Sequence, residues 1–170
     1  WWASYKDYAR GLYTPPGGWW AKVKLFQHGL IGVPGDTILY CDLDTLIVGT
    51  LDDMIAQGGE LRICADTAEN KKEKPGVVRR FNSSVMSWKA GQYPYFYDGF
   101  DRNALHKWRS DQDMIGELAP LAVTYPPEYT QRLSACLDGG PAPDTRVVLC
   151  IKPKNDEAAK QAAWVKKAWR

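Results

Sequence analysis

The stretch Ile38-Leu39-Tyr40-Cys41-Asp42-Leu43-Asp44-Thr45-Leu46-Ile47-Val48 decides how the chain is read. Four largely apolar residues lead into two carboxylates one residue apart, and a second apolar run follows. A short run of this kind reads as a buried strand of a parallel sheet. In open α/β sheets, ligands settle in the crevice outside the carboxyl ends of the strands, which places Asp42 and Asp44 at the mouth of a binding crevice. If the backbone stays extended between them, side-chain alternation sets both carboxylates on one face. Two carboxylates on one side suit a hard divalent cation, Mn²⁺ or Mg²⁺, which would in turn hold a phosphate-bearing ligand. The competing reading is a polar strand end that caps the next turn, and the chain holds a second such pair at Asp111-Gln112-Asp113.

The 170 residues fit one domain, 1–170, with a real core, and 45% hydrophobic residues is ordinary for a globular protein. Trp is abundant, and several fall near the ends (Trp1, Trp2, Trp19, Trp20, Trp164, Trp169), where they can pin the termini. A net charge of +2 argues against bulk nucleic-acid binding. From Lys152 to Arg170, six Lys or Arg stand against Asp156 and Glu157, a local balance of +4 that leaves −2 for the rest. Such a basic tail can serve a diphosphate or form a solvated helix face. Cys41, Cys64, Cys136 and Cys150 show no Cys-x-x-Cys spacing, and three lie in apolar runs, so they read as thiols in a reducing, cytoplasmic compartment. No stretch reads as a signal peptide or a membrane span. The chain starts at Trp1 in what looks like structured sequence, which leads us to expect a preceding N-terminal piece.

No repeat or linker interrupts the chain. After Pro-Pro-Gly-Gly at 15–18, Trp19, Val23 and Phe26 recur at helical spacing. Gly32 to Asp36 is a turn before the Ile38 strand. Thr50 and Asp53 suggest a capping box for a short helix through Ala56. Leu61 to Ala65 is a strand, Glu69 to Lys74 a charged mobile loop, and Val77 to Phe81 and Ser84 to Trp88 two strands flanking Asn82-Ser83. A looser Tyr-rich region runs from Gln92 to Trp108. Ser110 caps a helix from Asp111 to Leu118, with Asp113 completing the box. Val147 to Ile151 is a further strand, and a last helix begins at Asn155 or Asp156 with Ala158, Ala162, Val165 and Trp169 on one face. Strands alternating with helices give an α/β domain with a largely parallel or mixed sheet.

Four segments, taken in order, resemble the family-eight-like glycosyltransferases of GT-A fold, in their short bacterial and phage form. Trp19 to Leu25 resembles the helix before the metal motif, with Lys22 at its basic, donor-contacting position. Tyr40 to Asp53 resembles the metal motif and the strand after it. Phe81 to Met86 looks like the Asn-bearing strand that faces the donor sugar, and Ser110 to Asp113 is similar to the helix start beside the anomeric carbon. The resemblance spans roughly residues 17 to 120. It implies a mixed, mainly parallel GT-A-like (Rossmann-like) sheet flanked by helices, and a metal-dependent enzyme that moves a sugar, with retention, from a nucleotide-diphosphate donor to a saccharide, lipid or protein acceptor. It further implies Mn²⁺ or Mg²⁺ on Asp42 and Asp44, donor contacts at Lys22, Asn82, Ser83 and Lys152, and catalytic positions at Asp111, Gln112 and Asp113. The chain departs from the family in two places. Val147 to Ile151 runs straight into Lys152-Pro153-Lys154 without the His that would be a third metal ligand, and the first base-holding strand should precede residue 1.

Each residue also has a plainer reading. Lys22 and Lys152 can be solvated side chains, Asn82 a turn residue, and Asp111 to Asp113 simple caps; His28 and His106 read as surface or turn residues. Two rival functions remain open on sequence: a non-catalytic domain that binds a sugar nucleotide or a partner, and a haloacid-dehalogenase-like phosphatase. Against the latter, Leu46 stands where a Thr or Val is expected, and the later Gly-Asp-x-x-x-Asp motif is absent.

Overall fold

A computed structural model describes residues 18–56, 59–66, 80–101, 103–150 and 162–168. The expected loop from Glu69 to Lys74, the strand start at Val77, Lys152, and the helix start at Asn155 or Asp156 lie outside the described residues, as do Ala158 and Trp169.

The fold is mixed α/β, as expected, but its sheets are less parallel than the sequence suggested. Four strands, β1 (Thr37–Cys41), β3 (Arg62–Ala65), β4 (Phe81–Lys89) and β5 (Val123–Thr124), form one sheet in the order β1-β4-β3-β5. Within it β1 and β3 both run antiparallel to β4, and only β3 and β5 are parallel. A second sheet takes β2 (Thr45–Ile47), β7 (Val147–Leu149) and β6 (Thr130–Arg132), with β2 antiparallel and β6 parallel to β7.

The Ile38 strand is therefore antiparallel, not parallel, and among the described residues it lies at an edge rather than centrally. Its five residues are all half-buried. The fully sandwiched strand is β4, where every residue from Phe81 to Trp88 is buried. The sequence hid this because Asn82, Ser83, Ser84 and Ser87 are residues that favour turns. They interrupt what is one continuous strand, and Asn82-Ser83 is not the expected turn.

The side-chain core explains the arrangement. The nine-residue helix Gly18–Phe26 is wound as a 3-10 helix and lays Val23 and Phe26 against the sheet. The Phe26 ring meets Trp88 at 4.8 Å and the edge of Phe96 at 4.7 Å. Met114 and Ile115 of the helix Asp111–Leu118 enter the same cluster, with further tightening by the short helices Tyr95–Asp98 and Ala104–Lys107, which replace the expected loose Tyr-rich region. Burial of such apolar side chains is the main favourable term in folding. The Gly32 to Asp36 turn is present: the Asp36 N–H donates to the Val33 carbonyl, and Gly35 takes the left-handed φ of +96°. The helix Asp52–Ala56 also forms where expected. Of the last helix, Ala163–Ala168 is described, with Val165 buried against Leu46, Leu133 and Val148.

One irregularity matters for the site. Along β4, Met86 pairs with Ile63 and Asn82 with the next residue, Cys64. The segment Ser83 to Val85 is thus skipped by β3, while β1 still pairs through Val85, and the Asp42 N–H donates to the Ser84 carbonyl at 2.8 Å. Bulges of this kind re-aim side chains and are frequent beside functional sites.

Candidate functional site

Three elements converge on Lys22: the 3-10 helix that carries it, the end of β1, and the skipped segment of β4. Its ammonium lies 2.9 Å from both oxygens of Asp42. It also donates to the Ser83 carbonyl at 3.2 Å and to the Ser83 hydroxyl at 3.1 Å. A lysine has three N–H donors, and here all three are spent inside the protein. Asp111, from the start of the helix Asp111–Leu118, stands 3.7 Å from the same ammonium. The Ser83 hydroxyl, having accepted from Lys22, donates to Asp111 Oδ2 at 2.5 Å. One cation thus bridges two carboxylates that are 69 residues apart in sequence.

The carboxylates differ in environment. Asp111 is 2% exposed. Burial pushes its pKa upward, opposed by the charge of Lys22 and by hydrogen bonds from Ser83 and the Gln112 backbone. Ser110 caps that helix as expected, its hydroxyl accepting from the Asp113 N–H. The Asp113 carboxylate pairs with Arg109 Nε at 3.1 Å, so its surroundings match the plain capping reading. Gln112 is half-buried.

Asp42 is half-buried, and Asp44 is exposed. The backbone does not stay extended between them. The Thr45 hydroxyl donates to the Asp42 carbonyl at 2.6 Å and closes a turn with Leu43 at its fully exposed tip, so strict strand alternation does not apply. The Asp44 carbonyl accepts from the Cys150 N–H, which ties the turn to β7.

Tyr40 is the residue that sequence reasoning missed. Its hydroxyl donates to Asp42 Oδ1 at 2.6 Å, and its ring lies under the Lys22 ammonium, 5.6 Å from the centroid. Burial and the neighbouring carboxylates raise its pKa, so the phenol stays a donor. The signal was available, because residues two apart at a strand end share a face.

Asn82 and Ser83 are both buried. The Asn82 side-chain oxygen accepts from the Ser84 N–H, which leaves its amide N–H₂ as the remaining polar group. Ser83 is fully enclosed and serves as the link between Lys22 and Asp111. The four cysteines are free thiols, and burial pushes Cys64 up to about 12.

Whether these residues fit a divalent cation depends on which acceptors remain. A carboxylate offers about four lone-pair positions. On Asp42, Oδ1 accepts from Tyr40 and Oδ2 from Lys22, so one position remains on each oxygen. Asp44, exposed two residues further on, is the other hard-oxygen carboxylate of this turn. Among the described residues no group of three His, Cys, Asp or Glu assembles, and His28 and His106 are exposed elsewhere. A cation on these two carboxylates would take its remaining positions from water and phosphate oxygens.

No protein-family model matches the chain, and no curated protein does. In three dimensions it resembles the GT-A glycosyltransferase fold. A galactosyltransferase LgtC, solved with donor and acceptor sugar analogues, superposes with a TM-score of 0.58 at 14% identity over 88% of this chain. An active-site variant of LgtC gives 0.52 at 18% identity over 78% of this chain. The chain spans 66% and 58% of the length of those two proteins. At these identities the likeness is one of fold.

Proposed function

We propose that this chain is part of a glycosyltransferase that takes a sugar from a nucleotide-diphosphate donor. The observation that carries the reading is the Lys22-centred cluster, placed where three elements of a GT-A-like fold meet. The acceptor is a saccharide, lipid or protein. Transfer proceeds with retention, and a donor phosphate oxygen takes the acceptor proton, so no side-chain base is required.

Asp42 and Asp44 hold Mn²⁺ or Mg²⁺. When bound, the cation acts as a Lewis acid that neutralises charge on the leaving diphosphate. Lys22 adds fixed positive potential beside that diphosphate and reaches the donor only by exchanging one of its internal bonds. Lys152, outside the described residues, supplies a second phosphate contact. The Asn82 amide offers donors to sugar hydroxyls. Of the Asp111 triplet, half-buried Gln112 and Asp113 lie around the reacting carbon, while enclosed Asp111 holds Lys22 and Ser83 in place.

A nucleotide-sugar screen by thermal shift with Mn²⁺, followed by hydrolysis of the donor that stabilises, tests the reading. We expect a shift that Asp44→Asn abolishes. No shift with any donor overturns it. A shift without hydrolysis or transfer favours a second reading, a sugar-nucleotide-binding domain, to which the two-carboxylate donor set lends weight.

A further inference from the structure

We infer that Tyr40 is a positioning residue that fixes how the Asp42 carboxylate is turned towards an incoming divalent cation. The inference rests on the reading of Asp42 as a metal ligand.

Tyr40 and Asp42 sit two residues apart where β1 ends, so the phenol lies alongside the carboxylate. Its hydroxyl fills Oδ1 at 2.6 Å, on an oxygen that Lys22 also approaches. Each oxygen of Asp42 thus holds one hydrogen bond, Oδ1 from Tyr40 and Oδ2 from Lys22, and the two together fix how the carboxylate is turned. The Tyr40 ring in turn lies under the Lys22 ammonium, so one side chain steadies the carboxylate and its counter-charge together. Without the hydroxyl, Lys22 alone holds the carboxylate, through Oδ2, and the group is free to turn about that bond. A divalent cation then meets a ligand whose orientation is no longer set. Groups that orient a metal ligand through a hydrogen bond commonly change metal affinity 10- to 100-fold when removed.

The test is Tyr40→Phe, which keeps the ring and removes only the hydroxyl. Mn²⁺ binding is followed by paramagnetic resonance in the presence of a nucleoside diphosphate, and the melting temperature is recorded in parallel. We expect a loss of about tenfold in Mn²⁺ affinity with the fold intact. Tyr40→Leu, which also removes the ring, should lose at least as much. Unchanged Mn²⁺ affinity in Tyr40→Phe, whether or not the melting temperature falls, overturns the inference while leaving the metal reading standing. Absence of Mn²⁺ binding by the unaltered chain overturns both.

Discussion

Asp42-Leu43-Asp44 and Asp111-Gln112-Asp113 share one spacing of carboxylates, but the backbone beneath them differs. The first lies on a turn between two strands, and the second opens a helix. In each, the leading carboxylate meets Lys22, while of the trailing ones Asp44 is exposed and Asp113 pairs with Arg109. The inner pair holds elements together, and the outer pair lies nearer the surface. Spacing alone therefore says little about role; the shared cation sorts the four.

The largest effect should come from removing that cation. Lys22→Met leaves Asp42 and buried Asp111 without their counter-charge, and breaking such a pair costs about 3 kcal/mol, to be read from urea unfolding at neutral pH. A loss no larger than for a surface lysine would break the distinction between inner and outer carboxylates. Ser83→Ala comes next: it strips a hydrogen bond from both Lys22 and Asp111 in a closed site, and should cost about 1–3 kcal/mol.

A third measurement sharpens the contrast through pH. Burial raises the folded-state pKa of Asp111 above its unfolded value, so the native chain holds that proton more tightly. The ionised form burdens the native state above the folded pKa, and the burden lifts as pH falls towards the unfolded one. Compared with Asp111→Asn, the unaltered chain should gain stability between neutral pH and about pH 4. A constant difference across that window would show that Lys22 fully offsets the burial. The smallest effect belongs to the outer pair. Asp113→Ala breaks a contact to an exposed arginine and should cost under about 0.5 kcal/mol in the same unfolding measurement. Asp44→Asn should also leave stability nearly unchanged, yet weaken Mn²⁺-dependent donor binding far more than Lys152→Ala when both are titrated calorimetrically.

What could be read from the sequence follows the range of each signal. The helix Asp111–Leu118 and its Ser110 cap came out with correct bounds, because a cap and its recipient are three residues apart. The strand ending at Cys41 was legible from its apolar run. Its direction and edge position were not, since pairing with β4 is set some 45 residues away in sequence. Asn82 and Ser83 misled for the same reason: their turn-favouring side chains are satisfied inside a strand by Ser84, Lys22 and Asp111. β5 and β6 have two and three residues, too few for a periodicity to show. Around Lys22, the sequence reading overlooked Tyr40 and assigned Ser83 to ligand contact, whereas Ser83 lies enclosed.

The skipped segment of β4 sets a boundary for protein engineering. Because β3 passes over Ser83 to Val85, the Ser83 carbonyl escapes the β3 ladder and accepts from Lys22. A designer seeking heat resistance would be tempted to restore regular pairing there. The straightened sheet would gain ladder bonds and recruit that carbonyl, leaving the lysine one acceptor short. Thermostabilised variants of this chain should therefore be sought in the second sheet, where regularising the pairing leaves that acceptor alone.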